Sequence, residues 1–192
     1  MFIKVLSRVS KPIIVTTLVV LIAACNATGV GHALHVALDS FNKGKDANTS
    51  EYTLVYLTRH AEKRSDQGKD PSLTSQGQKR AENLAYALSK SNLDVIFSTD
   101  YKRTRETATP TSEAQKLDIF SASTSAKTMA ETITSEHLGR KILVVGHSNT
   151  TPALLAQLGV KEQVTISEDQ YGDLFLVILK GDEFEQMIKF NF

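Results

Sequence analysis

Arg59, His60, Arg103 and His147 are the residues of this chain whose types and spacing could do chemistry. Arg59 and His60 follow Thr58 at the end of the β-branched and aromatic run Tyr52–Leu57. Arg103 lies in the segment Ser98–Thr107, which also holds Arg105, and His147 lies in Val144–Thr150. Each segment reads as a strand giving way to a loop or helix. A phosphoryl group in transfer spreads its charge over three equatorial oxygens, so a protein assists by positioning and charge stabilisation. Arginine suits that task because its planar fork donates two parallel hydrogen bonds and stays protonated. A neutral imidazole with a free ring nitrogen can attack phosphorus in line, which makes His60 the candidate nucleophile. Its other ring nitrogen should then donate to a carbonyl or carboxylate and fix the tautomer. His147, after Gly146, is placed to hydrogen-bond the phosphoryl oxygens. Taken singly, these residues have plainer readings. Gly146-His147-Ser148 can be a turn and helix cap, and Arg103 and Arg105 can be solvated charges with Glu106 as a local partner.

The elements that must position them alternate between strand and helix. Tyr52–Leu57 is a compact run suited to a strand buried on both faces. Helical spacing of Ala81, Leu84, Ala85 and Leu88 predicts a helix over 76–90, with Ser75 and Gln78 as a capping box. A short strand over 94–98 precedes a helix over 101–115. A third strand follows at 117–120, a helix at 126–138, and a strand at 141–145. Then comes a helix over 151–158, with Pro152 in its first turn. The runs 173–179 and 184–190, joined by Gly181-Asp182, read as a terminal hairpin. This alternation predicts a three-layer α/β/α sandwich with a mostly parallel central sheet. In such sheets ligands bind beyond the carboxyl ends of the strands, so the three segments should converge at one edge.

The N-terminus reads as an address. Lys4, Arg8 and Lys11 precede an uncharged, mostly apolar stretch over 12–24, the pattern of a secretory signal. That stretch is short for the ~30 Å of a bilayer core. Leu21-Ile22-Ala23-Ala24-Cys25 resembles a bacterial lipobox, which implies acylation of Cys25 and a cell-envelope lipoprotein facing the periplasm. Residues 25–50 then form a lipidated N-terminus and linker, with an amphipathic helix expected over 30–41 and solvated histidines at 32 and 35. Cys25 is the one cysteine in the sequence, so no intramolecular disulfide can form. Loss of residues 1–24 takes the formal net charge from +1 to −2, which gives no reason to expect a nucleic-acid partner.

Four blocks in order carry a family resemblance. Thr58–Lys63 is similar to the first motif of the histidine phosphatase superfamily, which includes cofactor-dependent phosphoglycerate mutases, acid phosphatases and bacterial phosphohistidine phosphatases. Asp70–Ala81 resembles the family's lead into its first helix, Ser98–Ala108 the block with the second phosphate-binding arginine, and Val144–Thr150 the second-histidine block. The resemblance implies a phosphoglycerate mutase-like fold over residues 51–192 and a pocket of Arg59, His60, Arg103 and His147. It further implies attack by His60 on a small phosphorylated substrate, with no metal or organic cofactor required. Asn149 and Lys63 are candidates for further substrate contacts. The family's usual general acid has no counterpart: Ser148 stands where acid-phosphatase relatives carry aspartate, and Ser121–Thr128 lacks the glutamate block of mutases. Glu62 and Asp100 are the nearest spare carboxylates in sequence. Without a placed acid, a poor leaving group loses roughly 10²–10⁴ in rate, which argues against mutase activity. The alternative is a catalytically impaired envelope lipoprotein that keeps the arginines to bind a phosphorylated ligand.

Overall fold

The computed structural model describes residues 50–192. The signal-like segment 1–24, Cys25, the helix expected over 30–41, and His32 and His35 lie outside the described residues. Six strands form one sheet: β1 (Tyr52–Arg59), β2 (Val95–Ser98), β3 (Ile119–Ser121), β4 (Lys141–Gly146), β5 (Asp173–Lys180) and β6 (Glu183–Asn191). Their order is β3-β2-β4-β1-β5-β6. The first four are parallel, whereas β5 runs antiparallel to β1 and to β6. The helices are α1 (Ser75–Ala87), α2 (Lys102–Gln115), α3 (Ala126–Glu136) and α4 (Thr150–Gln157).

Alternation along the strands sorts the core into two layers. Val55, Leu57, Val95, Phe97, Ile142 and Val144 face one way and pack with Met129 and Ile133 of α3 and Leu154 and Leu155 of α4. Ile96, Leu143 and Val145 face the other way and pack with Leu84 of α1 and Ala108 of α2. Side chains of period two on a doubly covered sheet produce the expected α/β/α sandwich. Ile142 and Leu143 are fully buried, and each such side chain contributes about 1.5–3 kcal/mol by leaving water. The parallel strands therefore have their C-terminal ends fixed by the most buried part of the molecule.

The elements fall where the sequence puts them, with shifted ends. β1 runs on to Arg59, so the candidate arginine is itself a strand residue. The capping box on Ser75 gives way to a cap on Thr74, whose extended backbone lets its hydroxyl accept from Gly77 N at 3.0 Å. The Thr74 amide is bonded to the Glu62 carbonyl, and this tie sets the entry of α1 one residue earlier. Gly77 is required there, because a Cβ would collide with the Glu62 carbonyl.

Candidate active site

The C-terminal ends of β1, β2 and β4 meet at one edge, around a cavity of about 480 Å³. Arg59, His60, Lys63, Tyr101, Arg103, His147, Ser148, Asn149 and Glu168 line it, with Thr124 and Thr150. The rings of His60 and His147 stand edge to face, with centroids 5.5 Å apart. His60 is 3 % exposed, and its Nδ1 lies 2.7 Å from the Ala61 carbonyl. A carbonyl can only accept, so Nδ1 carries the proton and Nε2 keeps its lone pair. Among the described residues, nothing hydrogen-bonds to Nε2.

His147 is held in the opposite tautomer. Arg103 Nη2 approaches its Nδ1 at 3.5 Å, and Nε2 lies 2.9 Å from Thr99 Oγ1. A guanidinium can only donate, so Nδ1 is the acceptor and Nε2–H donates to Thr99. The Thr99 hydroxyl donates onward to Thr104 Oγ1 at 3.0 Å, and Thr104 donates to the Thr99 carbonyl at 2.7 Å. This relay is buried and fixes the ring from behind. Gly146 permits the approach: a Cβ there would come within 2.8 Å of Thr150 Oγ1, at the start of α4.

Both imidazoles are neutral at ordinary pH. Burial pushes His60 down to about 3, and the neighbouring Arg59, His147 and Arg103 add to that push against the bond to Ala61. Burial also lowers His147 to about 4, followed by the charges of Arg103, Arg59 and Lys63. A buried imidazole among three cations gives up its proton because the charged form is both desolvated and repelled.

The two arginines are seated differently. Arg59 Nη1 donates to the carbonyls of Ser167 (2.6 Å) and Gln170 (3.0 Å), and its Nη2 to Glu168 Oε2 (3.0 Å). Its guanidinium stacks 4.4 Å from the centre of the Tyr171 ring. Its Nε is buried without a partner. Arg103 stacks in the same way on Tyr101, also at 4.4 Å, but both Nε and Nη1 lack partners. Asp70 Oδ1 stands 3.7 Å from Nη1, too far for a hydrogen bond. Buried guanidinium donors without acceptors are costly, and an anion with three oxygens is the natural acceptor for such a set.

Lys63 and Asn149 also line the cavity. The two carboxylates named from the sequence do not. Glu62 is bound on both oxygens by Arg80, at 2.6–2.9 Å. Asp100 is exposed and accepts from Arg105 and Ser121. The acidic side chain that does line the cavity is Glu168, which also accepts from Ser148 Oγ at 2.7 Å. Sequence reasoning missed it, together with Tyr101, Tyr171 and the Thr99–Thr104 pair. A signal existed: β5 is antiparallel, so the loop that precedes it must lie at the same edge as the carboxyl ends of the parallel strands.

Known proteins resemble this chain in sequence and in fold. Residues 55–124 match the family model of the histidine phosphatase superfamily (branch 1). The matched segment takes in Arg59, His60 and Arg103, and the described domain has a phosphoglycerate mutase-like fold. Phosphoserine phosphatase 1 of Hydrogenobacter thermophilus is 44 % identical over 72 residues, which cover 34 % of this chain and 34 % of that protein. The match thus spans about a third of the curated relative's length. A mycobacterial glucosyl-3-phosphoglycerate phosphatase superposes with a TM-score of 0.57 at 16 % identity, covering 73 % of this chain and 97 % of that one. A phosphoglycerate mutase from Bacillus anthracis superposes with a TM-score of 0.56 at 15 % identity, covering 72 % and 92 %. At such identities these two structures speak for the fold alone.

Proposed function

We propose that this domain is a metal-independent phosphatase that hydrolyses small phosphomonoesters through a phosphohistidine on His60. The observation that carries the reading is the pairing of a neutral, Nδ1-anchored His60 with the unpartnered donors of Arg103 across one cavity. The Arg59 and Arg103 guanidinium groups that line the cavity would hold the phosphoryl oxygens and orient phosphorus toward His60 Nε2. Nε2 attacks, the bond from phosphorus to the leaving oxygen breaks, and its electron pair stays on that oxygen. Water then displaces His60 from phosphorus and releases inorganic phosphate. The Ala61 carbonyl holds the Nδ1 proton throughout and offsets the positive charge that the ring acquires. His147 is lowered partly by three cations, whose field a bound dianion opposes. A bound dianion thus favours the protonated ring, which can donate to the phosphoryl oxygens from Nδ1.

One comparison supports a small phosphomonoester as substrate, since the relative that matches over 72 residues is a phosphoserine phosphatase. The signal-like N-terminus and lipobox-like Cys25 extend the reading to an exported, lipid-anchored enzyme of the cell envelope. The test is turnover of p-nitrophenyl phosphate by the full chain with a chelator present, wild type against His60→Ala. Metal-independent turnover that disappears in the variant is expected. A well-folded wild type without turnover would favour the ligand-binding alternative instead.

A further inference from the structure

The cavity contains a carboxylate that the reaction described above leaves idle. Glu168 belongs to the loop 158–172 between α4 and β5, and its side chain is 77 % exposed. Two tethers hold it in place rather than packing. Oε2 accepts from Arg59 Nη2 at 3.0 Å, and Oε1 accepts from Ser148 Oγ at 2.7 Å. The first tether is a guanidinium that an incoming phosphoryl group also seeks. The loop itself is pinned to that arginine by the carbonyls of Ser167 and Gln170, so the carboxyl can let go of Arg59 without leaving the cavity. Ser148 directly follows His147, and its hydroxyl holds a glutamate from a distant segment.

We propose that Glu168 is the proton donor to the leaving oxygen, freed for that role when the substrate's phosphoryl group displaces it from Arg59. The inference rests on the phosphohistidine reading given above. Glu62 cannot compete because Arg80 binds both its oxygens, nor can Asp100, which is tied to Arg105 and Ser121 outside the cavity. The charged and titratable groups that face Glu168 are Arg59, Lys63, His60 and His147. With no competing anion, the bond from Ser148, then Arg59, hold its carboxyl below the usual carboxylate range. A dianion on Arg59 removes one of those influences and adds a negative neighbour, and both changes favour the protonated acid. The substrate thus charges its own acid with a proton. In the first step His60 Nε2 bonds to phosphorus, the leaving oxygen departs with the bonding pair, and Glu168 gives that oxygen its proton. In the second step the Glu168 carboxylate takes a proton from water, the water oxygen bonds to phosphorus, and the electron pair of the N–P bond returns to Nε2.

A proton donor matters in proportion to the basicity of what leaves. The test compares full-chain wild type and Glu168→Gln on p-nitrophenyl phosphate, whose leaving group needs little help, and on glycerol 2-phosphate, whose alkoxide needs a proton. Glutamine can still accept from Arg59 through Oε1 and donate from Nε2 to Ser148 Oγ, so the loop keeps its tethers. The expected result is a kcat loss of about 10²-fold or more on the alkyl ester and of less than about tenfold on the aryl ester. Equal losses on both esters would show that Glu168 only orders the pocket, and no loss on the alkyl ester would assign the proton to another source. Either result overturns the proposal, as does a wild type active on the aryl ester alone. The phosphatase reading fails by a different sign, the absence of His60-dependent turnover on the aryl ester, and this inference would fall with it.

Discussion

Arg59 and Arg103 face the same cavity, yet one is nearly saturated and the other nearly bare. Arg59 closes β1 and is gripped by the loop before β5 through two carbonyls, a carboxylate and the Tyr171 ring. Arg103 opens α2, leans on Tyr101 and His147, and leaves two buried donors without acceptors. The difference separates two jobs that look identical in sequence. In the proposed reaction Arg103 serves as the anion receptor, whereas Arg59 couples the anion site to the Glu168 carboxylate and to the loop that carries it. Unpaired buried donors are an energetic liability that a bound phosphoryl group relieves, so the bare arginine should dominate affinity.

The largest expected effect tests what the two arginines serve. His60→Ala should lower kcat by about 10⁴-fold or more, because the nucleophile itself is gone. Circular dichroism should show the fold retained, since His60 lies in the cavity wall. Next, Arg103→Ala should weaken inorganic phosphate binding by about 10–100-fold, the worth of charge-assisted bonds lost from a buried fork. Arg103→Lys should recover only part of this, because an ammonium cannot span two oxygens. Limited proteolysis sharpens the comparison. Arg59→Ala should expose the loop 158–172 to cleavage, and Arg103→Ala should leave it protected. A smaller effect, about tenfold in kcat, is expected for Thr99→Val, which keeps the shape but removes the acceptor that fixes the His147 tautomer. Full activity in Thr99→Val would mean that the relay behind His147 is only structural.

An unfolded histidine titrates near about 6.5, whereas folded His60 and His147 titrate at about 3 and about 4. Between those values the unfolded chain binds more protons, so stability must fall as pH drops from about 6.5 toward 3 and be complete above that window. Inorganic phosphate should reduce the loss, because an anion beside the two rings favours their charged forms. Thermal melts at several pH values, with and without phosphate, check this. Melts independent of pH from 6.5 to 4 would contradict the burial of the two neutral rings.

Much of the site could be read from the sequence because its parts lie at the ends of strands. Tyr52–Leu57 and Lys141–Val145 are runs that only a doubly covered sheet accommodates, and a parallel sheet sends Arg59, His60 and His147 to one edge. The Nδ1 anchor of His60 follows from the chemistry of a neutral nucleophile, and the Ala61 carbonyl supplies it. What could not be read was set by pairing rather than by periodicity. Glu168 lies 109 residues from Arg59, in a polar loop with no pattern of its own. Its placement depends on β5 lying antiparallel beside β1, with Thr58 opposite Leu174. Glu62 looked nearer because it is two residues from His60, but the chain turns it toward Arg80 of α1. The Thr74 cap was missed for a similar reason, since a tie to the Glu62 carbonyl decided between two adjacent hydroxyl residues.

The central claim is that phosphorus bonds to His60 before it meets water. The most direct test is the stereochemical course of hydrolysis of a phosphomonoester made chiral at phosphorus by isotopic oxygen. Two successive in-line displacements, on His60 and then by water, each invert the centre, so the account predicts net retention. Net inversion would show a single direct attack by water and would contradict it.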